Sequence, residues 1–558
     1  MNEGYLESRK GTAGPWSPQI DRLFEKWDRD RSPGAVLAVT RGGELLHQRG
    51  YGVANIEDDT PFSGDTVLRL GSTTKHLCAT CILVLENRGL LNLDDDVRRW
   101  VPELPGFGEC ITLRHLLTMT SGLSDGINML LFGGLDSTHA LDRGQALRLY
   151  CSSTGLMFRP GDDWTYSNTN YSLLSFVIER ISGLSLAEFM QRELFEPLNM
   201  SRSQLTPWMG ECVEGKARGY ELTPEGGFQT GFMRMELDGN GGVDSTANDM
   251  LTWLANYRDD RHFGPDYRAR MEAENRLNNG RLLDYRLGIE VKDYRGFQVV
   301  RHAGGMPGYL CDFVYFPERD LGLVLLANVL EPDILQLSDR VADIVLETEF
   351  PQGRSSMVID AQAEDAADLP GVYAEFEEGM VVEIAERDGS LVCYWFGDLN
   401  PLFEKDGWLQ SRKTTLALRA VENGLAFRSG CEAPRLLRRV AEPGAFRESD
   451  ESSASLAEYE GHYLQPELAE THIVRRDGNG LSVTLPSPIR RLVWKDLVRI
   501  EGDLFVAPVD GEPSCTNVIV RFLRDASNEI SGLSCSINRC RNVVFQRLHE
   551  EESASASK

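Results

Sequence analysis

Strand patterns stand at both ends of residues 1–352 and helical patterns fill the interval, an arrangement that few folds satisfy. Ala35-Val-Leu-Ala-Val-Thr40 and Glu44-Leu-Leu-His47 flank the glycine turn Arg41-Gly42-Gly43, as the two arms of a hairpin do. Strand character returns in Gln298-Val-Val-Arg301, Cys311-Asp-Phe-Val-Tyr315 and Leu321-Gly-Leu-Val-Leu-Leu326. Between them, helix signals begin near Ser72 and run through Leu83-Val84-Leu85, then recur at Leu116-Leu117, from Ser172 to Ile181 and from Ala247 to Tyr257. The pattern predicts an α+β domain whose first and last strands share one sheet.

The character changes after Phe350. Pro351-Gln-Gly-Arg-Ser-Ser356 and the acidic run from Ala361 to Asp368 read as a linker. Short β-rich runs follow at Gly371-Val-Tyr373, Val381-Val-Glu-Ile384, Leu391-Val-Cys-Tyr-Trp395 and Leu416 to Val421. A second polar stretch, Glu448 to Ser455, leads to Gly461-His-Tyr463, an echo of Gly371-Val-Tyr373. The echo predicts two similar small antiparallel β-barrels over residues 368–445 and 455–549. Residues 550–558 are polar and read as a disordered tail.

Composition narrows the function class. The 558 residues are 41% hydrophobic, enough for real cores and for about three or four domains. With 85 acidic and 58 basic residues the net charge is −27, so the surface repels phosphates and nucleic acid is not an expected partner. No run approaches ~18 apolar residues and no signal pattern opens the chain, so neither a membrane partner nor secretion is expected. Eleven scattered cysteines do not make a disulfide framework, and a cytoplasmic location is the expectation. Cys78 and Cys81 form a lone CxxC, read as two buried helix thiols rather than a metal or redox site.

Three short motifs carry the chemistry. Ser72-Thr-Thr-Lys75 is an S-x-x-K that follows Gly71 and opens a helix, so the hydroxyl and the amine share one face. The same pattern in Ser555-Ala-Ser-Lys558 lacks that context. Tyr166-Ser-Asn168 follows the turn Arg159-Pro-Gly-Asp162, and His302-Ala-Gly304-Gly305 starts a strand pair. Glycines there let a substrate backbone approach a strand. Each alone has an ordinary structural explanation, such as a capping serine, a packed tyrosine or a core histidine.

Taken in order, S-x-x-K, Y-x-N and H-x-G resemble the motif set of the penicillin-recognising serine hydrolases. The resemblance covers residues 15–350 and is specific to the branch of class C β-lactamases, D,D-peptidases, esterases and D-aminopeptidases. Leu116-Leu-Thr-Met-Thr-Ser-Gly-Leu123 and Gly242-Val-Asp-Ser-Thr-Ala-Asn-Asp249 support it. H-x-G in place of K-T-G, with two barrels behind, is most similar to the bacterial D-aminopeptidases. The resemblance implies a β-lactamase/transpeptidase-like catalytic domain, an antiparallel sheet flanked by helices, followed by two barrels. It implies Ser72 as nucleophile, Asn168 holding Lys75 and contacting a substrate amide, and His302 beside Tyr166. It further implies that the amides of Ser72 and Gly305 form the oxyanion hole, with Gly304 beside it.

An acyl-enzyme on Ser72 needs an adjacent base. Lys75 and Tyr166 are the available groups, and ordinary lysines and tyrosines titrate near pH ~10. Burial favours a neutral lysine, whereas a neighbouring cation, Lys75 or a charged His302, favours a phenolate; the sequence leaves both open. No metal or other cofactor is needed, and the histidines show no zinc spacing. The expected substrate is a small molecule or short peptide, most simply a D-aminoacyl peptide, amide or ester; an esterase, a β-lactamase or a non-catalytic sensor shares the same motifs. A homo-oligomer is compatible with the two-barrel tail. In D-aminopeptidases a loop of the last barrel presents an acid to the substrate amine; the corresponding stretch, Pro486 to Trp494, carries Arg490 and Arg491 instead. Those arginines either favour an anionic substrate or are solvated surface charges.

Overall fold

The computed structural model describes residues 13–350, 369–441 and 456–549, apart from 136, 137, 224, 330, 376–379, 388–389, 396–397, 406–407, 412–415, 422–423, 430–433, 478–479, 486–492, 508–517 and 538. Both predicted linkers and the predicted tail, residues 550–558, lie outside the described residues.

Six antiparallel strands form the first sheet: β1 (Ala35–Arg41), β2 (Glu44–Tyr51), β3 (Glu290–Tyr294), β4 (Phe297–Met306), β5 (Tyr309–Phe316) and β6 (Leu321–Ala327), in the order β3-β4-β5-β6-β1-β2. β1 pairs with β6 from Ala35 opposite Ala327 to Arg41 opposite Leu321, so the two ends of the domain meet as the sequence predicts.

β1 shows why this sheet must be covered twice. Successive residues point to opposite faces of a strand. Val36 and Ala38 enter a core shared with Leu77, Ile82, Trp253 and Tyr257, while Leu37 and Val39 enter another with Ile20, Phe24, Leu337 and Val341. The second face is covered by α1 (Ser17–Leu23) and α5 (Pro332–Leu346). The first is covered by the helical layer containing α2 (Thr74–Asn87), α3 (Asn168–Ser182) and α4 (Ala247–Asp259). In α4 the buried apolar residues are Ala247, Met250, Trp253, Leu254 and Tyr257, the spacing of one helical face.

Two closed eight-stranded barrels follow, from Gly371–Glu375 through Arg435–Ala441 and from Gly461–Gln465 through Cys540–Arg547. The echoed tyrosines have the same structural job. Tyr373 donates to the Leu369 carbonyl (2.9 Å) and Tyr463 to the Tyr459 carbonyl (2.8 Å), each four residues back. Each thereby fixes the entry of the chain into its barrel's first strand. The barrels pack on each other through Val372, Ala374 and Val381 against Leu504, Val506 and Ile519.

The second barrel also grips the first domain. Helix Gly126–Phe132 ends with Phe132 edge-on to Trp494 and Phe545, ring centroids 6.2 and 6.0 Å away. His472 donates from Nε2 to the Phe132 carbonyl at 2.7 Å. Phe132 is wholly buried, and truncating such a residue typically costs ~3–5 kcal/mol. Phe132→Ala is expected to lower stability by about that amount, read by urea denaturation; a change below ~1 kcal/mol would show that the contact is dispensable.

Candidate active site

The chain enters the site through a 3₁₀ turn, Gly71–Thr73, which runs directly into α2. In a 3₁₀ turn residues i and i+3 eclipse, so Ser72 and Lys75 stand one above the other. Lys75 Nζ donates to Ser72 Oγ at 3.2 Å, to Asn168 Oδ1 at 2.8 Å and to the Asn240 carbonyl at 2.6 Å. Lys75 is wholly buried, and none of its three partners carries a charge.

The protonation logic follows from this inventory. Asn168 Oδ1 and the Asn240 carbonyl only accept, so they take two amine hydrogens in either charge state. Ser72 Oγ can accept from an ammonium or donate to a neutral amine. The Ser72–Lys75 hydrogen bond is therefore the one whose direction can reverse, the geometry a general base needs.

Both acceptors are held from behind. Asn168 opens α3, and its backbone N and Nδ2 donate to Asp125 Oδ2 at 2.7 and 2.9 Å. These bonds fix which end of the amide faces Lys75. The other Asp125 oxygen caps helix Gly126–Phe132 by accepting from the amides of Ile127 and Asn128. Asn240 is held through its amide to Asp238 Oδ1 (3.0 Å) and through Nδ2 to Ser172 Oγ (2.9 Å). Sequence reasoning missed Asp125, Asp238 and Asn240. Asp125 alone left a trace, as an acid just before a helical run, which reads as an ordinary cap.

β4 forms the other wall. β3 pairs with it only as far as Glu290 opposite Arg301, which frees the next residues on that side for the Gly71–Thr73 turn. Thr73 Oγ1 donates to the His302 carbonyl at 3.0 Å. A Cβ on Gly304 would collide with the Leu70 carbonyl and lie 2.8 Å from the Ser72 nitrogen, so only glycine permits this approach. Gly71 sits at φ +55°, and a side chain there would come within 3.0 Å of the Gly305 nitrogen. Gly305 itself is exposed. The backbones of Gly71–Ser72 and Gly304–Gly305 are thus brought close together, at the start of α2 where the helix end adds positive potential.

Tyr166 lies against Lys75. Its ring centroid is 4.9 Å from Lys75 Nζ. Its hydroxyl is buried and has no hydrogen-bond partner among the described residues. His302 does not reach it by a described hydrogen bond. Nδ1 of His302 donates to the Ala303 carbonyl (2.7 Å), which leaves Nε2 to accept from Tyr285 Oη (3.1 Å). The Tyr285 ring packs edge-on to both, centroids 6.4 Å from Tyr166 and 5.9 Å from His302. Burial, and next the charge of Lys75, push His302 down to about 4. A charged His302, one of the sequence-based options for favouring a phenolate, is therefore disfavoured near neutral pH.

Arg490 and Arg491 lie outside the described residues. The part of the second barrel seen to reach Tyr166 is a different one, the turn between Ile530–Ile537 and Cys540–Arg547. The Arg539 carbonyl accepts from the Asp125 amide at 3.1 Å, and the Arg539 guanidinium lies 4.4 Å from the Tyr166 ring centroid. Nothing in Asn538-Arg-Cys-Arg-Asn542 distinguishes it from any polar hairpin turn. Cys78 and Cys81 are buried free thiols of α2, pushed up by burial. Among the described residues no helix is long and apolar enough to cross a membrane.

Comparison with known proteins bears on this geometry. The family described as Beta-lactamase matches residues 20–346. Penicillin-binding protein 4* of Bacillus subtilis (strain 168) is 31% identical over 332 residues, 55% of this chain and 71% of that protein. A D-aminopeptidase of Brucella anthropi is 24% identical over 526 residues, 93% of this chain and 96% of the relative. Among solved structures, the octameric penicillin-binding protein homologue from Pyrococcus abyssi aligns with a TM-score of 0.53 at 18% identity, covering 95% of this chain and 99% of that one; it shares the fold.

Two outcomes follow. Asp125→Asn, which turns one acceptor oxygen into a donor facing amide hydrogens, is expected to lower kcat ~10- to 100-fold, with KM changed far less, because Asn168 loses its fixed orientation; an unchanged kcat would refute that role. His302 resists protonation in the fold but not in the unfolded chain, where histidine titrates near ~6.5. Stability is thus fully present above pH ~6.5 and falls as pH drops toward the folded value of about 4. The loss is ~3 kcal/mol for a shift of this size. Urea midpoints at pH 7 and pH 4.5 are expected to differ less in His302→Gln than in the parent.

Proposed function

Since the chain belongs to the β-lactamase family, we propose that it is a serine hydrolase of D-aminopeptidase type, releasing N-terminal D-amino acids from peptides, amides or esters through an acyl-enzyme on Ser72. The observation that carries the chemistry is the Ser72–Lys75–Asn168 cluster with its two short, fixed acceptor bonds. The D-amino-acid preference rests on the relative whose match runs through the catalytic domain and both barrels.

In this reading the scissile carbonyl oxygen lies between the amides of Ser72 and Gly305. Such donors contribute ~2.7–4 kcal/mol each to an oxyanion transition state. Ser72 Oγ attacks the carbonyl carbon as its proton passes along the existing hydrogen bond to Lys75. The C–N or C–O bond then breaks, and the departing group takes a proton from the Lys75–Tyr166 pair. Tyr166 suits this role because its buried hydroxyl has no other described partner. A water next attacks the acyl-enzyme, giving up its proton to the same base, and Ser72 is restored. Asn168, whose Nδ2 is committed to Asp125, orients Lys75. His302, uncharged and tied to Tyr285, keeps the wall of the cleft neutral, so no fixed cation stands at the position of the lysine of K-T-G. Homo-oligomerisation, known for the octameric structural relative, belongs to this reading as well.

Initial rates on D-alanine p-nitroanilide, its L-enantiomer and p-nitrophenyl acetate test it. The expected result is faster cleavage of the D-amide than of the L-amide, falling ~10³-fold or more in Ser72→Ala. Ester turnover alone would replace the reading with an esterase. A stable acyl-Ser72 without release would replace it with a sensor.

A further inference from the structure

Among the described residues, Arg539 is a cation without a charge partner. Its guanidinium rests on the Tyr166 ring at 4.4 Å and makes no hydrogen bond or ion pair among the described residues. It is partly exposed, in a chain whose acidic residues outnumber basic ones by 85 to 58. An arginine of the first barrel shows the contrast. Arg435 pairs with Asp163 at 3.1 Å, on the segment that leads to Tyr166, and burial together with the charge of Arg541 lowers it to about 10. The turn meets the backbone of Asp125, and both carboxylate oxygens of that residue are occupied by the amides of Ile127, Asn128 and Asn168 and by Asn168 Nδ2.

The position is fixed as well as charged. The Arg539 carbonyl receives the Asp125 amide, and Cys540 lies against Ser124. The turn is therefore fastened to the residue that orients Asn168, and its side chain cannot drift far from the cleft. Tyr166 is in contact with both Lys75 and Arg539, which places the guanidinium one ring away from the base. A guanidinium offers five donors in a planar fork that matches a carboxylate in two parallel hydrogen bonds. Aromatic stacking holds the plane of such a fork while leaving its edge free.

We propose that Arg539 is a specificity residue that selects substrates bearing a carboxylate close to the scissile bond. The inference rests on the function proposed above. The carboxylate could sit on the departing part, as in a dipeptide with a free C-terminus, or on the acyl part, as in an acidic D-amino acid. Both present the same group to the same fork.

Matched pairs distinguish the two sources: D-alanyl-glycine against D-alanyl-glycinamide, and D-glutamyl p-nitroanilide against D-glutaminyl p-nitroanilide. In the full-length protein, one carboxylate member is expected to exceed its neutral partner at least ~10-fold in kcat/KM, as a charge-assisted hydrogen bond provides. Arg539→Gln is expected to erase that ratio through KM, and Arg539→Lys to retain part of it. Using the ratio cancels any general effect of the substitution on Tyr166 or on folding. Equal losses on both members of both pairs would overturn the proposal. Should the parent turn over none of the four compounds, the proposed function has failed and the binding arm decides separately: calorimetry of the same ligands with Ser72→Ala, alone and combined with Arg539→Gln. Tighter binding of a carboxylate member that disappears in the double variant supports Arg539, and equal binding of all four overturns it.

Discussion

The site is organised around a lysine amine removed from water with no carboxylate against it among the described residues. Burying an unpaired charge is costly, so the fold surrounds Lys75 with oriented neutral acceptors instead, the amide oxygen of Asn168 and the carbonyl of Asn240. Neither would point correctly by itself. Asp125 turns one and Asp238 the other, so two carboxylates act on the lysine at one remove. A direct ion pair would hold the amine as an ammonium; the indirect arrangement leaves the Ser72 bond as the place where a proton can move. The Lys75 cluster is in that sense a network whose outer members determine what its inner members can do.

That network ties the barrels to the chemistry. Asp125 caps the helix whose last residue, Phe132, is buried against the second barrel, and its amide holds the Arg539 turn. One residue thus stands at the junction of the Ser72–Lys75–Asn168 cluster, a helix anchored in the barrel and the barrel's only turn seen to reach Tyr166 among the described residues. In the function proposed, the barrel is placed to shape what binds, while the first domain supplies the reacting groups.

Local chemistry in the chain foretold much of this. The strand patterns at 35–40 and 321–326 pair as neighbours because alternating apolar residues must reach two separate cores. The Gly371-Val-Tyr and Gly461-His-Tyr echo marks two barrels because each tyrosine locks the same bend. Ser72 and Lys75 face together because spacing on a helical turn is a local property. Gly304 is legible too, since a strand glycine signals close approach of another backbone, here the turn carrying Ser72.

What the sequence determined by itself was whatever depends on short-range periodicity or on a motif of a few residues: the α+β domain, the two barrels, the S-x-x-K turn and the glycine wall. What only the tertiary structure decided was which distant groups meet there. Asp125, Asp238 and Asn240 hold Lys75 across long stretches of chain, His302 is turned toward Tyr285, and Arg539 rather than the Pro486–Trp494 stretch is the barrel residue seen against Tyr166. Such contacts follow from how whole domains pack, and a polar turn or a capping acid carries no local mark of the partner it will meet.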